Sequence, residues 1–272
     1  MLVAADLKTA FERDGYVIVE DVFTREEVAA AKDEVRRILA KVRTKDKDGN
    51  APKDNGVFVG LTLNSECFKK MNADPRMVDV LEQVVGPNLE FWSDKIVYKS
   101  AGVDFGSPWH QDWTYWKGAA KFSVWVALDD ATPENGCMEV VPGSHRLGLV
   151  TSFGSTLSAD DASRHCDPSR VRSLPVARGE MLLLHNWLIH RSGINRTDQP
   201  RRAFTTCLMD ARTISVSTGQ RFPALTGERL TAPYPYVEQL EIDRAFLRDT
   251  AARSEEYALS LAAELERLRS VR

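Results

Sequence analysis

Apolar residues recur at helical spacing along the first quarter of the chain, and the period then changes. Val28, Ala31, Val35, Ile38, Leu39 and Val42 form one apolar stripe. Thr24-Arg25-Glu26-Glu27 precedes it as a capping box, a threonine N-cap with glutamate three residues later. Gly15-Tyr16-Val17-Ile18-Val19 is a short β-like run. Residues 45–55 are charged, contain Gly49 and Pro52, and predict a mobile loop. Residues 75–85 predict a second helix, with Asp74 as N-cap, Pro75 at the first helical position and Gly86 beyond the end.

From residue 89 the pattern reads as strands: 89–100, 121–129, 137–141, 180–190 and 202–210. In Phe122-Ser123-Val124-Trp125-Val126-Ala127-Leu128 one set of alternate positions is strongly apolar. Pro142-Gly143 and residues 195–200 are turn signals. The tail returns to a helical stripe of Ala258, Leu261, Leu265 and Leu268. A run of strands between helical flanks predicts a mainly β fold with flanking helices, a double-sheet jelly roll rather than a parallel α/β sheet. No linker of Gly, Ser and Pro divides the chain. The expectation is one domain over 1–272: a helical part to about residue 87, a jelly-roll core over about 88–212 and a helical segment over about 235–272.

Composition narrows the function. The 272 residues include 36 basic and 39 acidic side chains, a net charge of −3, which argues against a general binder of nucleic acid or anionic membrane. Cys67, Cys137, Cys166 and Cys207 form no CxxC pair and read as reduced thiols of a cytoplasmic protein. Polar Asp6, Lys8, Glu12 and Arg13 stand where a signal peptide needs an apolar run, and no membrane-spanning run is found. The partners expected are a small-molecule substrate and, at most, further copies in a small homo-oligomer.

Trp109-His110-Gln111-Asp112 carries the candidate chemistry. Two residues apart on an extended backbone, His110 and Asp112 face the same way. Two imidazoles and one carboxylate on one face, with open positions opposite, are what non-haem Fe(II) requires. The third arm has two candidates, His185 and His190; five residues apart on a regular strand they face opposite ways, so spacing alone does not choose. His145 and His165 read as turn or surface residues. Arg201 and Arg202 follow the turn at 195–200, and either would suit a bidentate pair with a carboxylate. Trp113, Tyr115 and Trp116 suit the lining of a substrate pocket or a jelly-roll core, and residues 150–172 a lid or a plain surface loop.

In order, these segments resemble the phytanoyl-CoA dioxygenase family of Fe(II)/2-oxoglutarate oxygenases. The likeness rests on Asp14-Gly15-Tyr16, on His110-Gln111-Asp112, on Glu134-Asn135-Gly136-Cys137 running to Pro142-Gly143-Ser144-His145, and on His190-Arg191-Ser192-Gly193-Ile194-Asn195 followed by Arg201. The resemblance implies a double-stranded β-helix and a metal triad of His110, Asp112 and His190. It places 2-oxoglutarate on Arg201, with Ser192, Lys99 and Trp125 assisting. Halogenating relatives carry glycine or alanine in place of the carboxylate, so Asp112 implies hydroxylation or a related oxidation, with O2 as cosubstrate and succinate and CO2 released. A small polar metabolite or natural-product intermediate is the expected substrate. The rival expectation is a cupin-like ligand-binding module on the same fold, without oxygenase activity.

Overall fold

A computed structural model describes residues 4–42, 56–101, 106–112, 121–150 and 156–210. The expected loop at 45–55, the aromatic residues 113–117 and the C-terminal helical stripe lie outside the described residues.

Helix α1 (Ala4–Asp14) leads into strand β1 (Tyr16–Val19), and helix α2 (Arg25–Val42) follows. The capping box at its start is formed: Thr24 N donates to Glu27 Oε2 at 2.8 Å and Glu27 N donates to Thr24 Oγ1 at 3.2 Å. Next come β2 (Gly56–Val59), α3 (Leu61–Asn64), α4 (Glu66–Asn72) and α5 (Pro75–Val84). Asp74 caps α5 by accepting from Arg76 N, and Pro75 occupies the first turn, where its missing N–H costs nothing. The stretch before residue 87 therefore holds more elements than its periodicity predicts: α3 and α4 are short, and β2 has no strong alternation.

Two antiparallel sheets follow, built from β3 (Leu89–Lys99), β4 (Ser107–His110), β5 (Lys121–Ala127), β6 (Met138–Val140), β7 (Arg172–Leu174), β8 (Met181–His185), β9 (His190–Ser192) and β10 (Arg201–Asp210). One sheet has six strands in the order β1-β8-β5-β10-β3-β2, the other four in the order β4-β9-β6-β7. This is the expected jelly roll, a double-stranded β-helix. Between β6 and β7 the chain makes a 3-10 turn (Ser144–Leu147) and helix α6 (Ala159–His165), so the polar stretch at 150–172 is not a plain loop.

Alternation divides the six-stranded sheet between two cores. Phe122, Val124, Val126, Phe204, Leu208 and Ile96 pack outward with Phe68, Met77 and Leu81 of the helices. Trp125, Ala127, Leu182, Leu184 and Ala203 pack inward with Val140 and Leu174 of the four-stranded sheet and with Cys137 just before β6. All four cysteines are free thiols. Among the described residues no helix is long and apolar enough to cross a membrane.

Candidate metal centre and anion pocket

The strand expected over 180–190 is two strands in two sheets. β8 ends at His185 in the six-stranded sheet, the chain turns, and β9 begins at His190 in the other. That break sends the two histidines to different surroundings. His190 sits directly opposite His110 in the β4–β9 pairing, with ring centroids 4.1 Å apart. His185 lies with Phe11, Phe122 and His145, centroids 5.0–6.4 Å away, and its Nδ1 accepts from Trp187 N at 3.0 Å. Burial, then the neighbouring His145, lowers its pKa to about 4. His145 is not a surface residue: it is buried, its Nε2 lies 3.1 Å from Glu12 O, and its ring packs on Gly15. A Cβ at Gly15 would stand 2.5 Å from His145 Nδ1, and φ there is +81°, so only glycine fits.

The two ligand candidates are oriented in the same way. His110 Nδ1 lies 2.8 Å from Pro108 O, and His190 Nδ1 lies 2.8 Å from Leu188 O. Each Nδ1 must carry the proton to donate to a carbonyl, which leaves each Nε2 with a free lone pair. Strand β4 ends at His110, so His110 and Asp112 do not share one extended run as the spacing predicts; Asp112 stands in a turn. The turn is held from both sides. Fully buried Gln111 donates to Gly148 O at 2.9 Å and to Trp187 O at 2.7 Å, and accepts from Val150 N at 2.9 Å. Asp112 N donates to Asn186 O at 2.9 Å.

The Asp112 carboxylate thereby returns to the histidines. Oδ1 is 3.8 Å from His110 Nε2, and Oδ2 is 4.0 Å from His190 Nε2. One ligand atom from each of His110, Asp112 and His190 lies within 4.8 Å of the other two. Ser123 on β5 donates to Asp112 Oδ2 at 2.9 Å. Burial works to raise the Asp112 pKa, but His190, Lys95 and His110, with the Ser123 hydroxyl, hold it well below the usual carboxylate range. Burial, then His110, lowers His190 to about 4, so its ring is neutral at physiological pH. Two imidazoles and one carboxylate, with no thiolate, fit Fe(II).

The second cluster is cationic. Lys99 ends β3 and Arg201 begins β10, and the two are direct register partners. They are 1% and 2% exposed. Lys99 Nζ donates to Ser192 Oγ at 3.0 Å and to Gly193 O. Ser107 Oγ lies 2.9 Å from Ser192 Oγ. Arg201 Nη2 donates to Gly136 O at 2.9 Å, its guanidinium lies 5.3 Å from the Trp125 ring centroid, and its buried Nε has no hydrogen-bond partner among the described residues. Burial, then Arg201, lowers Lys99 to about 7; burial lowers Arg201 to about 10. Two buried cations side by side are costly, and an incoming anion relieves that cost.

Gly136 explains the Asn-Gly-Cys segment. Its φ is +81°, and a Cβ there would stand 2.3 Å from Gly193 O, so the segment lies tight against the end of β9. Arg202 faces the other side, where Asp129 accepts from its Nε at 2.7 Å and Nη2 at 3.0 Å, and from Lys32 at 3.1 Å. The sequence reading missed Ser123, Gln111 and Lys95. Ser123 had a visible signal, a hydroxyl interrupting the inward face of an apolar strand.

Known proteins share this arrangement of elements. The family described as Phytanoyl-CoA dioxygenase (PhyH) matches residues 11–203. A phytanoyl-CoA dioxygenase domain-containing protein 1 homolog of Caenorhabditis briggsae is 25% identical over 261 residues, covering 76% of this chain and 91% of its own length. The ectoine dioxygenase of Sphingopyxis alaskensis is 30% identical over 164 residues, covering 57% of this chain and 53% of the enzyme. The crystal structure of the epimerase SnoN with Fe3+, alpha ketoglutarate and nogalamycin RO superposes with a TM-score of 0.66 at 25% identity, covering 83% of this chain and 96% of that one.

Proposed function

The chain belongs to the phytanoyl-CoA dioxygenase family of Fe(II)- and 2-oxoglutarate-dependent oxygenases, and on that premise we propose that it hydroxylates a small polar metabolite or natural-product intermediate. The observation that supports this most is the convergence of His110, Asp112 and His190 beside a buried guanidinium whose Nε lacks a partner among the described residues. In this reading the Nε2 atoms of His110 and His190 and the Asp112 carboxylate hold the metal. Fe(II) with 2-oxoglutarate supplies the oxidising chemistry, with release of succinate and CO2.

The protein's own contribution is orientation and exclusion of water. The Pro108 and Leu188 carbonyls fix the tautomer of each ligand imidazole, and Ser123 holds one carboxylate oxygen. Arg201 and Lys99 take the distal carboxylate of 2-oxoglutarate, with Ser192 beside Lys99 and Trp125 against the guanidinium. The carboxylate at Asp112 occupies the position that a halide would need.

The test is a metabolite panel assayed for substrate-triggered succinate, with products analysed by mass. The expected product carries one added oxygen atom. A product that has lost hydrogen without gaining oxygen would overturn hydroxylation in favour of desaturation or cyclisation.

A further inference from the structure

The turn between β8 and β9 supports the metal triad with its backbone, and one side chain closes that turn. Successive carbonyls of residues 186–188 bond to the groups around the triad. Asn186 O accepts from Asp112 N at 2.9 Å, Trp187 O accepts from Gln111 Nε2 at 2.7 Å, and Leu188 O lies 2.8 Å from His190 Nδ1. One turn therefore sets the backbone of the carboxylate ligand, the glutamine beside it and the ring of the distal histidine. Residues 186–189 belong to neither strand, so the shape of the turn decides where these groups stand. His185 fixes that shape from within. Its carbonyl accepts from Leu188 N at 2.9 Å, and its Nδ1 accepts from Trp187 N at 3.0 Å. A side-chain acceptor bonded to the N–H two residues on is the turn that Asn and Asp form with a side-chain oxygen; here an imidazole nitrogen takes that place.

The surroundings keep that nitrogen an acceptor. The His185 ring packs with Phe11 and Phe122, centroids 6.1 and 6.4 Å away, and with His145 at 5.0 Å. Burial, then His145, lowers its pKa to about 4, so at physiological pH the ring is neutral and carries its proton on Nε2. Both ends of the turn are anchored to the fold. His185 N donates to Gly15 O at 2.8 Å, Ile189 N donates to Ser144 Oγ at 2.9 Å, and Ile189 O accepts from Val141 N at 3.0 Å. Resting on the function proposed above, we propose that His185, although outside the triad, is a positioning residue of the iron site: its Nδ1 holds the turn whose carbonyls set Asp112 and His190. Its ring supplies packing and its nitrogen supplies geometry, and substitution can separate the two.

The test uses wild type, His185→Phe, His185→Asn and His185→Leu. Each is titrated anaerobically with Fe(II), and each is melted without metal. Phenylalanine keeps a ring beside Phe11 and Phe122 but has no acceptor. Asparagine keeps an acceptor at the same reach and loses the ring; leucine lacks both. His185→Phe and His185→Leu should weaken Fe(II) binding about tenfold or more, the effect of losing support behind a metal ligand. His185→Asn should stay within about threefold of wild type, because its side-chain oxygen can take the Trp187 N–H. Its melting temperature should nevertheless fall, because the ring volume is lost from the core. Fe(II) affinity should thus follow the acceptor and not the stability. The proposal is overturned if His185→Phe binds Fe(II) as wild type does, or if a folded His185→Asn loses affinity as His185→Leu does. It is also overturned if affinity tracks melting temperature across the variants, the result of a purely structural role. Wild type that binds no Fe(II) overturns the proposed function together with this inference; wild-type binding that the acceptor-less variants match overturns this inference alone.

Discussion

The two ends of the site are built in opposite ways. The metal end stands on short pieces: β4 with four residues, β9 with three, and a turn that carries Asp112. Its geometry is local, fixed by Nδ1 donation to the carbonyls two residues before each histidine and by Gln111 bridging three backbone groups. The anion end stands on the two longest strands, β3 with eleven residues and β10 with ten, and its geometry follows from the register that sets Lys99 opposite Arg201. The charges are opposite too. One end gathers a carboxylate and two lone pairs for a cation; the other gathers two buried cations for an anion. On the proposed function each end is completed by a different ligand, and each should fail separately.

The largest separation of the two ends comes from Asp112→Ala. It should weaken Fe(II) binding by more than about 100-fold, beyond what loss of a supporting hydrogen bond produces. The melting temperature of the metal-free protein should change little, because the turn is held by Gln111 and by backbone bonds. Metal titration with parallel thermal melts checks both; an unchanged Fe(II) affinity would break the metal end as described.

Arg201→Met comes next. It should raise the half-saturating 2-oxoglutarate concentration about 30- to 100-fold, the worth of a charge-assisted pair, while Fe(II) affinity stays as in wild type. Removing a buried cation should leave the ligand-free protein no less stable. Arg202→Met, which loses the Asp129 pair and the contact with the Tyr98 ring, should leave the 2-oxoglutarate requirement unchanged. Equal effects of the two arginine variants would contradict the assignment.

Ser123→Ala tests the support of the metal end. Loss of its hydrogen bond to Asp112 should weaken Fe(II) about tenfold, and Ser123→Thr should restore part of that if the hydroxyl is the cause. The smallest effect concerns pH. Burial and Arg201 lower the Lys99 pKa to about 7, so the ammonium is present below that pH and lost above it. A dianion prefers the charged form; 2-oxoglutarate affinity should therefore fall as pH rises, by about fivefold from pH 7 to 8 as the protonated fraction drops from half to a tenth. In Lys99→Met that slope should vanish, and a slope that persists would place the titrating group elsewhere.

The same contrast governs what could be read from the chain. The long strands of the six-stranded sheet announce themselves by alternation, as in residues 121–127, and the capped helices α2 and α5 by Thr24, Glu27, Asp74 and Pro75. The short strands carry too few residues for a period: β6, β7 and β9 have three each. β8 is apolar at four successive buried positions, so alternation could not show where it ends, and residues 180–190 read as one strand. That misreading is why His185 and His190 were equal candidates on spacing, although the chain changes sheets between them. The resemblance carried by the residues after His190 chose between them, and the structure supplies the physical reason. Ser123 left a faint mark, a hydroxyl in an otherwise apolar strand, but its role was not legible from it. A lone lysine or serine on a strand acquires meaning only when the facing sheet is known.

The account depends on three side chains meeting at one ion beside a pocket for a dicarboxylate. Anaerobic addition of Fe(II) and 2-oxoglutarate to the wild-type protein measures that directly. The result predicted is a weak visible charge-transfer band that saturates with 2-oxoglutarate, disappears in His110→Ala, Asp112→Ala and His190→Ala, and needs much more 2-oxoglutarate in Arg201→Met. A wild-type protein that forms no such band, or a band untouched by the loss of His190, would contradict it.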